Sequence, residues 1–166
     1  MKYKFNKAQH RLRNCVTFCA KGRTKTAKVA TLCARRYEYS VMSMKTIIEK
    51  ASDGVLEERE VIAFSESKRM SLDEFAHEFS KSVAQHYWNG SYDYHLCDGA
   101  MNWLYGFLTD PTYLITTNNT ISEFPLDVYL AFDAGEYHHA GDEKSVDPVR
   151  KYTDPAIEKL LRAQEP

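Results

Sequence analysis

Ser71-Leu72-Asp73-Glu74-Phe75-Ala76-His77-Glu78-Phe79-Ser80-Lys81-Ser82-Val83-Ala84-Gln85-His86-Tyr87-Trp88-Asn89-Gly90 is the stretch that decides how this chain folds. Ser71 and Glu74 have the S-x-x-E spacing of a capping box: the serine oxygen accepts an N–H of the first turn while the glutamate reaches back. Leu72, Phe75, Ala76, Phe79 and Val83 then fall on one helical stripe. Asn89-Gly90 supplies the stop. One amphipathic helix is predicted here, and its wide apolar face needs partners.

Those partners are helical on both sides. Upstream, Met44, Ile47, Ile48 and Ala51 repeat at i, i+3, i+4 and i+7, with a stop at Asp53-Gly54. Downstream, Ser91–Asp98 reads as a Tyr-rich connection. Ala100–Leu108 reads as a buried helix carrying Met101, Trp103, Leu104, Phe107 and Leu108, ended by Asp110-Pro111. A further helix near Pro125 is assigned Leu126, Tyr129, Leu130 and Phe132 as its buried face, up to Gly135. Asp154-Pro155 opens the last helix as N-cap and first-turn proline, docked by Ile157, Leu160 and Leu161. Two segments are ambiguous. Val61–Phe64 and the β-favouring Tyr113–Thr117, followed by an Asn118-Asn119 turn, are short enough to be strands. The fold is therefore mainly α, a compact helical domain over residues 42–166, with α+β as the alternative if those two segments pair. Residues 72–137 hold 14 of the 21 aromatic residues. A core is expected on Phe75, Phe79, Trp88, Trp103, Phe107, Tyr129 and Phe132, which at roughly 150–250 Å² each is ample for an independent domain.

The 166 residues are 43% hydrophobic and 27% charged, enough to fold one domain and its arm. No apolar run approaches the roughly 18–20 residues of a membrane span. The formal net charge of −1 is the cancellation of two opposite halves. Residues 1–40 carry 11 Lys and Arg against Glu38 alone, a net +10, and the remainder carries 11 basic against 22 acidic residues, a net −11. Residues 1–41 are accordingly read as a basic, poorly ordered arm. Three readings of it stay open: a nucleic-acid-binding tail that displaces counterions from phosphate, a segment folded back on the acidic half, or sequence upstream of a true start near Met42 or Met44. The arm also holds Cys15, Cys19 and Cys33. Their spacing, with His10, matches no common zinc pattern, and free thiols of a reducing cytosol are expected. Val16–Ala20 is too short for a secretory h-region. The arm is basic and acid-poor, as transit peptides are, but shows little amphipathic period.

No Gly-rich phosphate loop, nucleophile elbow or H-E-x-x-H occurs. Cys97 and His95 stand two apart, a poor nucleophile–base spacing, and Cys97 reads as a packed thiol. The richest chemical cluster is Asp133, Glu136, His138, His139 and Asp142. Carboxylates and imidazoles are metal ligands, yet Gly141 suggests a loop from which adjacent histidines point apart, so no cofactor is assigned. A solvated polar loop and a protein-binding surface are the competing readings. Residues 123–147 add Glu123, Asp127, Glu143 and Asp147 against the single base Lys144, interspersed with Tyr. Asp127 and Asp133 are expected to lie away from the Leu126/Tyr129/Leu130 face. An acidic, Tyr-bearing surface suits a basic protein, steering encounter by charge and supplying anchors of low entropic cost.

The run Phe124-Pro125-Leu126-Asp127-Val128-Tyr129-Leu130-Ala131-Phe132-Asp133-Ala134-Gly135-Glu136-Tyr137-His138-His139, then Gly141-Asp142, then Asp147-Pro148-Val149-Arg150-Lys151-Tyr152-Thr153-Asp154-Pro155-Ala156-Ile157, resembles the C-terminal part of small bacterial immunity proteins of contact-dependent growth inhibition and related polymorphic toxin systems. Ala100-Met101-Asn102-Trp103-Leu104 fits the same pattern. The resemblance spans about residues 70–162 and leaves out the arm. It implies a cytoplasmic, stoichiometric inhibitor rather than an enzyme. Its partner would be a cognate basic toxin domain, a nuclease with a cationic substrate channel, met through Asp127, Asp133, Glu136, Tyr137, His138, His139, Asp142 and Glu143. Two other classes remain: a nucleic-acid-associated protein using the arm, and a small metal-dependent enzyme using His138 and His139. Tyr152 and Asp154 are expected to be structural.

Overall fold

In the computed structural model the described residues are 42–164. The readings made of the basic arm, its three cysteines and His10 lie outside them. Seven α-helices are present: α1 (Met44–Ser52), α2 (Glu58–Lys68), α3 (Leu72–Trp88), α4 (Tyr94–Leu108), α5 (Pro111–Thr116), α6 (Glu123–Asp133) and α7 (Asp154–Ala163). A π-helical turn, Val149–Thr153, runs directly into α7. Each of the first five starts on a local signal. Ser43 Oγ accepts the Thr46 N–H at 3.1 Å. The Glu57 N–H donates to Glu60 Oε2 at 3.1 Å. At α3 the capping box is complete, Glu74 N–H to Ser71 Oγ at 3.1 Å and Ser71 N–H to Glu74 Oε2 at 2.7 Å. Asp93 and Asp110 cap α4 and α5 through the N–H groups of Leu96 and Thr112, both at 2.8 Å. Such caps satisfy donors that a helix start otherwise leaves unmade.

The centre of the bundle is α3, α4 and α6 in mutual contact, with α1 laid on α4 and α7 on α3 and α6. Phe75 and Phe79 of α3, Leu104 of α4, Phe132 of α6 and Ile157 of α7 are all fully buried. Phe75 meets Phe64 and Phe107 edge-on at 6.1 Å in each case. Trp103 stacks on Phe107 at 5.5 Å and donates its indole N–H to the Leu56 carbonyl at 3.1 Å, tying the α1–α2 connection to α4.

Both strand-like segments are helical, and no strand occurs among the described residues. Val61, Phe64 and Ser65 are buried at helical spacing in α2. Four β-prone residues do not outweigh a capped turn with core to cover. Asp110-Pro111, read as an end, is also a beginning: aspartate as N-cap and proline in the first turn start α5. There Tyr113 is buried and the Thr116 and Thr117 hydroxyls bond back to the Tyr113 carbonyl. The Asn118-Asn119 turn is present, with φ of 54° and 56°. Helix α4 begins six residues before Ala100, because Asp93 caps it within the presumed connection.

Two core assignments and one cap assignment need correction. Trp88 is 48% exposed, since it ends α3 one residue past the buried stripe. The buried face of α6 is Pro125, Val128, Ala131 and Phe132, and Leu130 is 48% exposed. Almost every position of that helix is apolar, so its period fits two faces about one residue apart. Asp154 is not an N-cap. Its backbone is already helical (φ −54°, ψ −54°), and its carboxylate accepts the Tyr87 hydroxyl at 2.5 Å.

The tightest tertiary contact follows α6. Gly135 is buried, and a Cβ there would sit 2.2 Å from Thr153 Oγ1 and 3.2 Å from the Tyr94 ring. Gly135→Ala is expected to destabilise the domain by about 1–3 kcal/mol in urea unfolding. Combining it with Thr153→Ala should return part of that loss, because Thr153 Oγ1 is buried without a partner and its removal opens the space.

Candidate functional site

Seven of the eight sequence-selected residues, all but Asp127, divide between two different structures. One is a carboxylate patch shared by α4 and the end of α6. The other is a stapled loop, residues 134–153.

Along α4, Tyr94, Asp98, Asn102 and Tyr105 follow one another on the side facing the end of α6. Asn102 Nδ2 donates to Asp98 Oδ2 at 3.2 Å and to Glu136 Oε1 at 3.3 Å, so one amide bridges two carboxylates. Tyr129 donates to Asp133 Oδ1 at 3.4 Å and stacks on Tyr105 with ring centroids 4.3 Å apart and planes 7° apart. Asp133 thus shares the side of Tyr129 instead of lying away from it, a consequence of the rotated α6 face. The Tyr94 hydroxyl donates to the Phe132 carbonyl at 2.8 Å and fixes the helix end against α4.

Asp98 feels the crowding. Burial raises its carboxyl to about 6, and Glu136 and Asp133 add to this, while His95 opposes it. Among the described residues, no Lys or Arg pairs with Asp98, Asp133 or Glu136. Exposed apolar surface borders the carboxylates: Leu130 at 48%, Tyr105 at 39% and Tyr137 at 51%. Asp127, six residues before Asp133, is half-buried and stands outside these bonds. Asp98 was missed in the sequence because residues 91–98 read as a connection, and Asn102 and Tyr105 because the helix over Ala100–Leu108 was read for its apolar face alone. Once α4 is extended back to Tyr94, their spacing marks a polar stripe on an otherwise apolar helix.

Asp142 belongs to the fold of the loop. Its side chain is 3% exposed. It accepts the Tyr152 hydroxyl at 2.8 Å on each oxygen, the His139 N–H at 3.0 Å, and Lys151 Nζ. Lys151 first, then Tyr152 and the His139 N–H, hold its carboxyl at about 2. His139 lies between Tyr137 and Tyr152, at 5.0 and 4.2 Å, with Nε2 2.9 Å from the Ala134 carbonyl. His138 Nε2 lies 2.9 Å from the Val146 carbonyl. Glu143 is exposed at the loop tip, with Ser145 Oγ 3.4 Å away. The two imidazoles are therefore engaged by separate carbonyls. Among the described residues, no group of three His, Cys, Asp or Glu is arranged to hold a metal ion. Cys97 is fully buried, and burial followed by Asp93 and Asp98 pushes its thiol up to about 12. His95 is exposed. No described helix is long and apolar enough to cross a membrane.

Two pH dependences of opposite sign follow. A raised carboxyl binds its proton more tightly in the folded chain, so Asp98 costs stability as pH rises from about 4 to about 6. Asp98→Asn should raise Tm by about 2–4 °C at pH 7.5, with the gain gone by pH 4. Asp142 is depressed, so its contribution is complete above about pH 4 and lost as pH falls towards 2. Amide exchange at His139 should accelerate over that acid range in the native chain. Asp142→Asn should show faster exchange already at neutral pH. Against known proteins, the chain matches no family model, no curated protein and no solved structure.

Proposed function

We propose that this chain is a stoichiometric inhibitor of a basic protein, acting as the immunity proteins it resembles act: it binds a cognate toxin domain in the cytoplasm and blocks it. The observation that carries the reading is the carboxylate patch. Asp98, Glu136 and Asp133 are held together by Asn102 and by the helix end, without a cationic partner among the described residues. Like charges kept close at some cost to stability are what a functional surface requires and a purely structural one avoids. An arginine or lysine from a partner relieves that repulsion on docking. Tyr105, Tyr129, Tyr137 and Leu130 lie around the carboxylates and give the contact an apolar border. Rim aromatics of this kind supply area while their rings lose little freedom.

A nuclease is the fitting toxin class. Its channel is cationic because it binds phosphate, and a helix-mounted row of carboxylates offers the same charge in a fixed geometry. Protection of a cell needs an affinity of roughly nanomolar or better. Asp98 and Asp133 are partly withdrawn from water, which strengthens their pull on an incoming cation relative to fully solvated acids.

The test is co-purification of the full chain with the toxin domain encoded beside it. Asp133→Lys combined with Glu136→Lys should weaken the complex by about 100-fold or more and abolish protection, with the helical circular-dichroism signal unchanged. Retained protection places the interface elsewhere. Association of the native pair should also slow as salt is raised.

A further inference from the structure

A cavity lies away from the carboxylate patch, where α2, the start of α3, α5 and the turn before α6 meet. It has a volume of about 600 Å³, within the range of small-molecule sites. Ile62, Met70 and Leu72 give it an apolar wall, and the hydroxyls of Thr112, Thr116 and Ser122 are among the rest of its lining. One detail goes beyond shape. Asp73 lines the cavity, and its carboxylate accepts from the Tyr113 hydroxyl at 3.0 Å and from Ser122 Oγ. Both donors are neutral, and among the described residues no Lys or Arg pairs with Asp73. The N-terminus of α3 offsets only part of that charge.

From this we infer that the α2–α3–α5 cavity binds a small alkylammonium compound. The ammonium sits against the Asp73 carboxylate, and the hydrocarbon body lies along Ile62, Met70 and Leu72. The lining contains no Lys or Arg, so carboxylates and phosphates are rejected for want of a cation. The apolar wall disfavours a sugar.

Hexylammonium, hexan-1-ol and hexanoate probe head-group charge on a constant chain. Titration calorimetry of the full chain should give one hexylammonium site, hexan-1-ol about tenfold weaker, and no heat with hexanoate. Asp73→Asn keeps the acceptor for Tyr113 and removes the charge, and should weaken hexylammonium about tenfold. Thr116→Trp fills the exposed rim from a position outside the core, and should abolish binding if Asp73→Asn does not fold. Equal binding of the amine and the alcohol overturns the proposal. So does amine binding that survives Thr116→Trp or is lost in Asp133→Lys with Glu136→Lys, since it then belongs to the other acidic surface. A lysine-bearing peptide that binds where the free amine does not also overturns it, in favour of a protein contact.

Discussion

The absence of a side chain at residue 135 sets where the end of α6 can lie. Thr153 comes so close that any Cβ there would overlap its hydroxyl, and Tyr94 closes the other side while its own hydroxyl holds the Phe132 carbonyl. The helix end is thereby clamped between α4 and the π-helical turn. Two consequences are geometric. Asp133 and Glu136, just before and after the clamp, are brought to the Asp98–Asn102 stripe of α4. The chain then leaves in a direction that lets residues 137–148 return to Thr153, closed by Asp142 on Tyr152 and Lys151. The π-helical turn belongs to the same arrangement. Its wider spacing carries Tyr152 toward Asp142 while Thr153 stays buried against Gly135.

This division gives the two groups of carboxylates different meanings. Asp142 is fully committed: a cation, two phenol contacts and a backbone donor leave its oxygens little to offer. Asp98, Asp133 and Glu136 share an amide, a phenol and a contact between Asp98 and Glu136 themselves, with no Lys or Arg pair among the described residues. The first arrangement lowers the proton affinity of Asp142 and the second raises that of Asp98, and the fold holds both although the two stand 44 residues apart in sequence. A side chain already neutralised internally has no reason to meet a partner's charge, whereas a crowded one does. The acidic composition of residues 123–147 conceals this difference completely.

Much of the helical framework was legible because caps and periods are local. Ser71/Glu74, the Met44–Ala51 spacing and Asn118-Asn119 each work within a few residues. The errors arose where two local rules compete and tertiary contact decides. Asp110 ends one helix and caps another. Val61–Phe64 has β-prone residues and a helical spacing at once. In α6 the run Phe124–Phe132 is too apolar for its period to choose a face, and the choice rests on Gly135 meeting Thr153, 18 residues on in the chain. Asp154-Pro155 has the composition of a helix start, but Tyr87 holds the aspartate and the preceding turn is already helical. Of the candidate site, the sequence marked Asp133, Glu136 and Tyr137 through the density of charge and tyrosine. It could not mark Asp98 and Tyr105, whose relevance depends on α6 crossing α4.

Mounting the patch on helices rather than on the loop has an energetic consequence. Asp98, Asn102 and Tyr105 project from a helix whose adjoining side is buried through Cys97, Ala100, Met101, Leu104 and Leu108. Tyr129 is locked against Tyr105. In the proposed complex little backbone freedom would be lost on docking, which would leave more of the contact energy for affinity. The stapled loop acts beside this surface by fixing Tyr137 through His139 and by carrying Glu143 at its tip. Under the proposed function, substitutions at Asp142 or Tyr152 would act on binding through loop order, and would differ from patch substitutions in altering the fold as well as the contact. A reading of the surface from mutant phenotypes alone would merge the two, and the distinction rests on measuring loop stability and affinity side by side.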